Sequence, residues 1–203
     1  MITIGLDFDN NLITYDEIFH KVALEENLIP KNFPKQKVQI RDYLRNKNLD
    51  YKFTSIQAEV YGNRILEAKP SNGVVKSLLG LRQKNVGMFI VSHKTKYPYN
   101  GPKYNLHESA TRWLEKNNFF DPSVLQFKRE DIFFESSKSN KIDRIHDLKC
   151  THFIDDLPEI LDMIHSNCFK ILYNPFNKEI TNNKYINLNK WDDLETLIDF
   201  DYD

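Results

Sequence analysis

Short apolar runs alternate along this chain with stretches of helical periodicity, and that alternation predicts an α/β protein built on a parallel sheet. The runs that read as strands are Ile2–Leu6, Val86–Val91, Val124–Phe127, Ile132–Phe134, Thr151–Ile154, Phe169–Leu172 and Tyr185–Leu188. Apolar residues recur at helical spacing in Val74, Leu78 and Leu81, in Ala110 and Leu114, and in Ile142, Ile145 and Leu148. The expected fold is a doubly wound parallel sheet.

From about Tyr15 to Ala68 the alternation stops. This stretch reads as three helices, Tyr15–Leu28, Gln36–Asn46 and Thr54–Leu66, separated by Pro30, Pro34 and Asn48–Tyr51. One crossover helix suffices for a βαβ unit. Three in succession predict a small all-helical cap inserted after the first strand, with crossover helices packed on the sheet as the alternative. The expected domains are an α/β core at 1–13 and 70–203 and a cap at 14–69. Thr95–Asn105 (TKYPYNGPKYN) reads as a loop beyond a strand end, where open α/β sheets place ligands. The acidic tail Asp192–Asp203 reads as a solvated helix with a frayed end.

Composition narrows the function classes. Of the 203 residues, 40% are hydrophobic and 28% charged, which fits a globular protein and excludes a disordered one. Lys and Arg (28) nearly balance Asp and Glu (29), so nothing favours a nucleic-acid polymer as partner. Cys150 and Cys168 lie in apolar stretches without metal-ligand spacing and read as buried free thiols. No apolar run approaches the roughly 18 residues of a membrane span, and the chain opens on a strand instead of a signal-peptide pattern. The expected setting is the cytoplasm, away from membranes.

The first apolar run ends on DFDNN (7–11), two carboxylates one residue apart. Charges so close repel, so a cation is expected between or beside them. A calcium loop is excluded, because Leu12 stands where its glycine should be and Ile18 where its glutamate should be. An Asp-rich turn capping the next helix and a catalytic site both remain open on this motif alone. Three further segments bear on the choice. Ser92 ends a second apolar run, Lys141 opens a helix, and Asp155 and Asp156 end a later run, all on the side where a doubly wound sheet has its crevice.

Taken in order, DFDNN (7–11), IVS (90–92), Lys141 and FIDD (153–156) resemble the motifs of the haloacid-dehalogenase-like (HAD) superfamily. The helical insert between the first two resembles its caps. The resemblance implies a phosphatase in which Asp7 is the nucleophile and Asp9 the acid and base. Ser92 and Lys141 would hold the phosphoryl group, with Lys138 a competitor for the lysine's place. Asp7, the backbone carbonyl of Asp9 and Asp155 would hold Mg²⁺, with Asp156 completing the metal site directly or through water. Asn11, His93 and Lys94 would stand on the substrate side, Asn11 replacing the usual threonine or valine. The substrate implied is a small phosphorylated metabolite, a nucleoside monophosphate or a sugar phosphate. Asp9 argues against dehalogenation, which needs no leaving-group acid. The alternative is a non-catalytic relative that binds a phosphorylated ligand or a protein partner through the same crevice.

Overall fold

The computed structural model describes residues 1–165, 167–177 and 184–198. In chain order the strands are β1 (Thr3–Leu6), β2 (Ile13–Thr14), β3 (Lys69–Pro70), β4 (Gly87–His93), β5 (Ile132–Glu135), β6 (His152–Asp155), β7 (Phe169–Tyr173) and β8 (Ile186–Leu188). The helices are α1 (Asp16–Glu25), α2 (Lys37–Asn46), α3 (Asp50–Tyr61), α4 (Val74–Gln83), α5 (Leu106–Lys116), α6 (Lys138–Asp147), α7 (Pro158–Met163) and α8 (Leu194–Leu197). Among the described residues no helix is long and apolar enough to cross a membrane.

Six strands form one parallel sheet in the order β5-β4-β1-β6-β7-β8, while β2 and β3 pair separately. This is the doubly wound sheet expected from the apolar runs. Strand β1 lies between β4 and β6, with Leu6 opposite both Ile90 and Ile154. The strand order therefore reverses beside β1, and the carboxyl ends of β1, β4 and β6 open side by side. The central strands are buried on both faces, as in a parallel sheet covered by helices.

The chain divides into two compact units. One comprises Met1–Ile13, Pro70–Lys94 and Asn118–Asp203 and contains the six-stranded sheet. Its core on one side gathers Val91, Ile142, Ile145, Phe153, Leu161 and Leu172, with both cysteines buried and free as expected. The second unit, Thr14–Lys69 with Thr95–Asn117, holds α1, α2, α3 and α5. It closes around aromatic residues: Phe19 stacks on Phe53 at 5.5 Å, and the buried Trp113 donates from Nε1 to the Ala68 carbonyl at 2.9 Å.

Three local expectations change. Val124–Phe127 is a turn, although buried Leu125 and Phe127 imitate strand alternation. Asp121 accepts from the Ser123 N–H and hydroxyl and bends the chain there, and Gln126 takes a left-handed φ of 57°. The third inserted helix runs Asp50–Tyr61 and stops at Gly62, before a separate 3₁₀ turn at Ile65–Glu67. In the acidic tail, Leu194 and Ile198 are buried, so this segment is packed on one side instead of solvated; 199–203 lie outside the described residues.

Gly5 marks where the sheet tolerates no side chain. A Cβ on it would come within 2.4 Å of the Phe153 ring and 3.1 Å of the Cys150 sulfur. Gly5→Ala is expected to lower stability by about 1–3 kcal/mol through overpacking, read as a reduced urea midpoint. An unchanged midpoint would show that the Phe153 ring gives way at no cost.

Candidate active site

Asp7 follows directly on β1, and its N–H donates to the Ile154 carbonyl at 2.9 Å, which extends the ladder by one residue. The next residues leave the strand at once. Asn10 adopts a left-handed φ of 58°, and the N–H groups of Leu12 and Ile13 turn back to the Phe8 carbonyl. Asparagine tolerates this conformation better than most residues. The turn separates Asp9 from Asp7, which an unbroken strand would have kept on one face.

The Asp7 carboxylate is held from two sides. Its Oδ1 accepts from the Ser92 hydroxyl at 2.9 Å and from the Lys141 ammonium at 2.6 Å. The Lys141 ammonium also donates to Asp155 Oδ2 at 2.6 Å. Lys141 is only 2% exposed, so its charge is stabilised by these carboxylates and not by water. Burial alone would lower the ammonium's pKa, but Asp7 and Asp155 outweigh it and hold it above the usual lysine range.

Helix α6 delivers this lysine. Ser137 caps it by accepting from the Asn140 N–H, and the buried stripe Lys141, Ile142 and Ile145 faces the sheet. Lys138, half-buried at the start of the same helix, pairs instead with Glu159 at 2.8 Å. Asp155 ends β6 and is fully buried; its Oδ1 accepts from the Leu157 N–H at 2.9 Å. Asp156 accepts from Asn10 Nδ2 at 3.2 Å. That contact gives Asn10 a place in the site which nothing in its sequence position foretold beyond the tolerance of asparagine for a left-handed turn.

Carboxylate oxygens of Asp7, Asp155 and Asp156 lie within 4.8 Å of one another. With Asp9 they make four carboxylates facing the two ammonium groups of Lys141 and Lys94. With all four ionised, two formal negative charges are left over, the charge that one divalent cation neutralises. An all-oxygen donor set of this kind suits Mg²⁺. Burial, then the neighbouring Asp7 charge, push the pKa of Asp155 up to about 8 against the pull of Lys141.

The remaining expected residues fall differently. Asn11 is fully buried, with Nδ2 3.5 Å from Asp7 Oδ2 and Oδ1 without a hydrogen-bond partner. Turning the amide over would set an oxygen against the carboxylate, so charge decides its orientation. Ser92 and Lys94 lie on one pleat of β4 and its continuation; the intervening His93 points the other way and is exposed. The Lys94 ammonium reaches both oxygens of Asp9, at 2.8 and 3.0 Å. This pairing was missed in the sequence, where strand alternation offered the only signal, grouping Lys94 with Ser92.

No protein-family model matches the chain, and no curated protein sequence does. Solved structures do match it over nearly their whole length. A phosphoserine phosphohydrolase-like protein of Francisella tularensis is 17% identical, with a TM-score of 0.59 over 98% of this chain and 100% of that one. The HAD-hydrolase YfnB of Bacillus subtilis, bound to magnesium, is 14% identical, with a TM-score of 0.58 over 97% of each chain. A HAD family hydrolase of Deinococcus radiodurans, with bound phosphate and sodium, is 12% identical, with a TM-score of 0.57 over 96% of this chain and 93% of that one. At these identities the likeness establishes the fold, and the fold is HAD-like.

The raised Asp155 pKa carries a pH dependence. An ordinary aspartate releases its proton near pH 3.9 in the unfolded chain, whereas the folded, metal-free protein keeps it up to about pH 8. The folded state therefore binds more protons across this window, and stability falls as pH rises through it. Thermal melts in chelator at about pH 5 and about pH 8.5 should show the loss, and added Mg²⁺ should raise the melting temperature more at the higher pH. An equal Mg²⁺ effect at both would contradict this account.

Proposed function

We propose that the protein is a Mg²⁺-dependent phosphatase that hydrolyses small phosphate monoesters through an aspartyl-phosphate on Asp7. One observation carries the reading: Asp7 is gripped by Ser92 and Lys141 and clusters with two further carboxylates, Asp155 and Asp156, while Asp9 pairs with Lys94. A carboxylate is ionised at neutral pH and needs no base to act as nucleophile. Attack by Asp7 on phosphorus breaks the ester P–O bond, and Asp9 gives its proton to the departing oxygen. Asp9 then takes a proton from the water that attacks the same phosphorus, which releases inorganic phosphate and restores Asp7.

Ser92 and Lys141 supply the hydrogen bond and positive charge that the transferring phosphoryl group requires. When bound to Asp7, Asp155 and Asp156, Mg²⁺ adds further positive charge to the phosphoryl oxygens. The magnesium of the Bacillus subtilis protein and the phosphate of the Deinococcus radiodurans protein, both HAD-like, support this reading. The substrate class is a small phosphorylated metabolite, with nucleoside monophosphates and sugar phosphates as the first two groups to try.

A panel of phosphate esters assayed with Mg²⁺ tests the proposal. Turnover of at least one ester is expected, lost on chelation and restored by the metal. Asp7→Asn should lose at least about 1,000-fold in kcat. Full activity in that variant, or in chelator, would sink the mechanism.

A further inference from the structure

We propose that Asn100 is a site of spontaneous deamidation, at which the loop after β4 acquires an aspartyl or isoaspartyl residue and with it a negative charge. The site lies wholly within the second unit, and its chemistry is independent of the phosphatase reading.

An asparagine followed by glycine is the pair most open to this reaction, because a residue without Cβ leaves its backbone nitrogen unobstructed. The chain has two such pairs, Asn72–Gly73 and Asn100–Gly101. Both asparagines are exposed, so access to water does not separate them. Their local geometry does.

At Asn100 the reacting groups already face each other. The Gly101 N–H donates to Asn100 Oδ1 at 2.9 Å. That oxygen is one bond from Cγ, the atom that is attacked. Loss of the amide proton leaves an in-plane electron pair directed at the same carbonyl group. Holding two reacting groups in this way supplies much of the rate of an intramolecular reaction.

The loop also requires the glycine. Gly101 has a φ of 91°, and a Cβ on it would stand 3.1 Å from the Ala58 Cβ on α3. The segment is anchored around it: the Tyr104 hydroxyl donates to Glu59 at 3.0 Å, and the Leu106 N–H to the Lys96 carbonyl at 2.9 Å. The packing that demands a glycine at 101 therefore also makes its neighbour labile.

Asn72 is held differently. The Val74 N–H closes a turn on the Ser71 carbonyl at 3.1 Å, with Asn72 and Gly73 between them. The Gly73 carbonyl accepts from the Ser77 N–H at 3.0 Å as α4 begins. Among the described residues, no contact like that at Gly101 joins Asn72 to Gly73. A ring closing there has to form against a peptide plane that the turn already fixes.

In the reaction the Gly101 nitrogen gives its proton to hydroxide and bonds to Cγ of Asn100. The Cγ–Nδ2 bond breaks, and Nδ2 takes up a proton and leaves as ammonia. Water then opens the succinimide. Opening at Cγ leaves aspartate, and opening at the main-chain carbonyl leaves isoaspartate, with the chain running through Cγ. One water is consumed and one ammonia released.

Ageing the full-length protein in mildly alkaline buffer, followed by trypsin and mass spectrometry, tests this. Peptides 97–103 and 65–76 each carry one of the pairs (trypsin spares Lys69, which precedes Pro70). Peptide 97–103 should gain a single mass unit and separate into aspartyl and isoaspartyl forms, about 10- to 100-fold faster than peptide 65–76. In urea the two should react at comparable rates, because the difference lies in the fold. Asn100→Gln should hold 97–103 at its original mass and leave 65–76 as before. Equal rates in the folded protein would make the lability a property of sequence alone and overturn the proposal. Slower reaction of Asn100 in the folded protein than in urea would overturn the claim that the loop positions it.

Discussion

A lysine ammonium buried between two carboxylates organises this molecule. Lys141 reaches Asp7 on one side and Asp155 on the other, and each contact is 2.6 Å long. Taking three charged groups out of water is costly, and their attraction offsets the cost only if the geometry is good. Removing one member would strand the others, at about 3–5 kcal/mol for a buried pair. The ends of β1 and β6 and the first turn of α6 are thereby held together. Ser92 on β4 adds a neutral donor to the same Asp7 oxygen.

The arrangement is negatively charged by design of its residues, and that surplus links stability to chemistry. Burial and the neighbouring Asp7 charge raise the affinity of Asp155 for a proton, and the three clustered carboxylates form a candidate cation site. The sheet order puts β1 between β4 and β6, so Asp155 ends a buried strand, Asp7 and Asp156 follow directly on strand ends, and Asp9 sits on the turn beyond β1. The second ion pair, Lys94 with Asp9, partitions the acids: three converge on one another, and the fourth is drawn to a separate cation.

Much of the scaffold was legible in the sequence because its signals are local. Apolar runs such as Met88–Val91 and Phe153–Ile154 are strands because nearly every side chain in them is buried. Lys141 stood out because Ile142, Ile145 and Leu148 place it in the first turn of the helix that leads to FIDD. Local signals also misled. Leu125 and Phe127 alternate as a strand would, but side-chain hydrogen bonds to Asp121 bend that segment. Leu194 and Ile198 were submerged in an acidic tail, and their burial depends on packing that composition does not report.

The sequence by itself determined the α/β class, the all-helical run after β1, and the carboxylates, serine and lysine at strand and helix ends. Hydrophobic periodicity and residue chemistry are properties of a few neighbouring positions, so one chain displays them without its fold. Only the tertiary structure decided which cation belongs to which acid. Asp7 meets Lys141 across 134 positions, and Asp9 meets Lys94 across 85. Those partners are selected by strand order, by the left-handed turn at Asn10 that parts the two aspartates, and by the pleat that turns Lys94 inward and His93 out. Electrostatic pairing in a buried site acts through space, and the distances that govern it exist only once the sheet has formed.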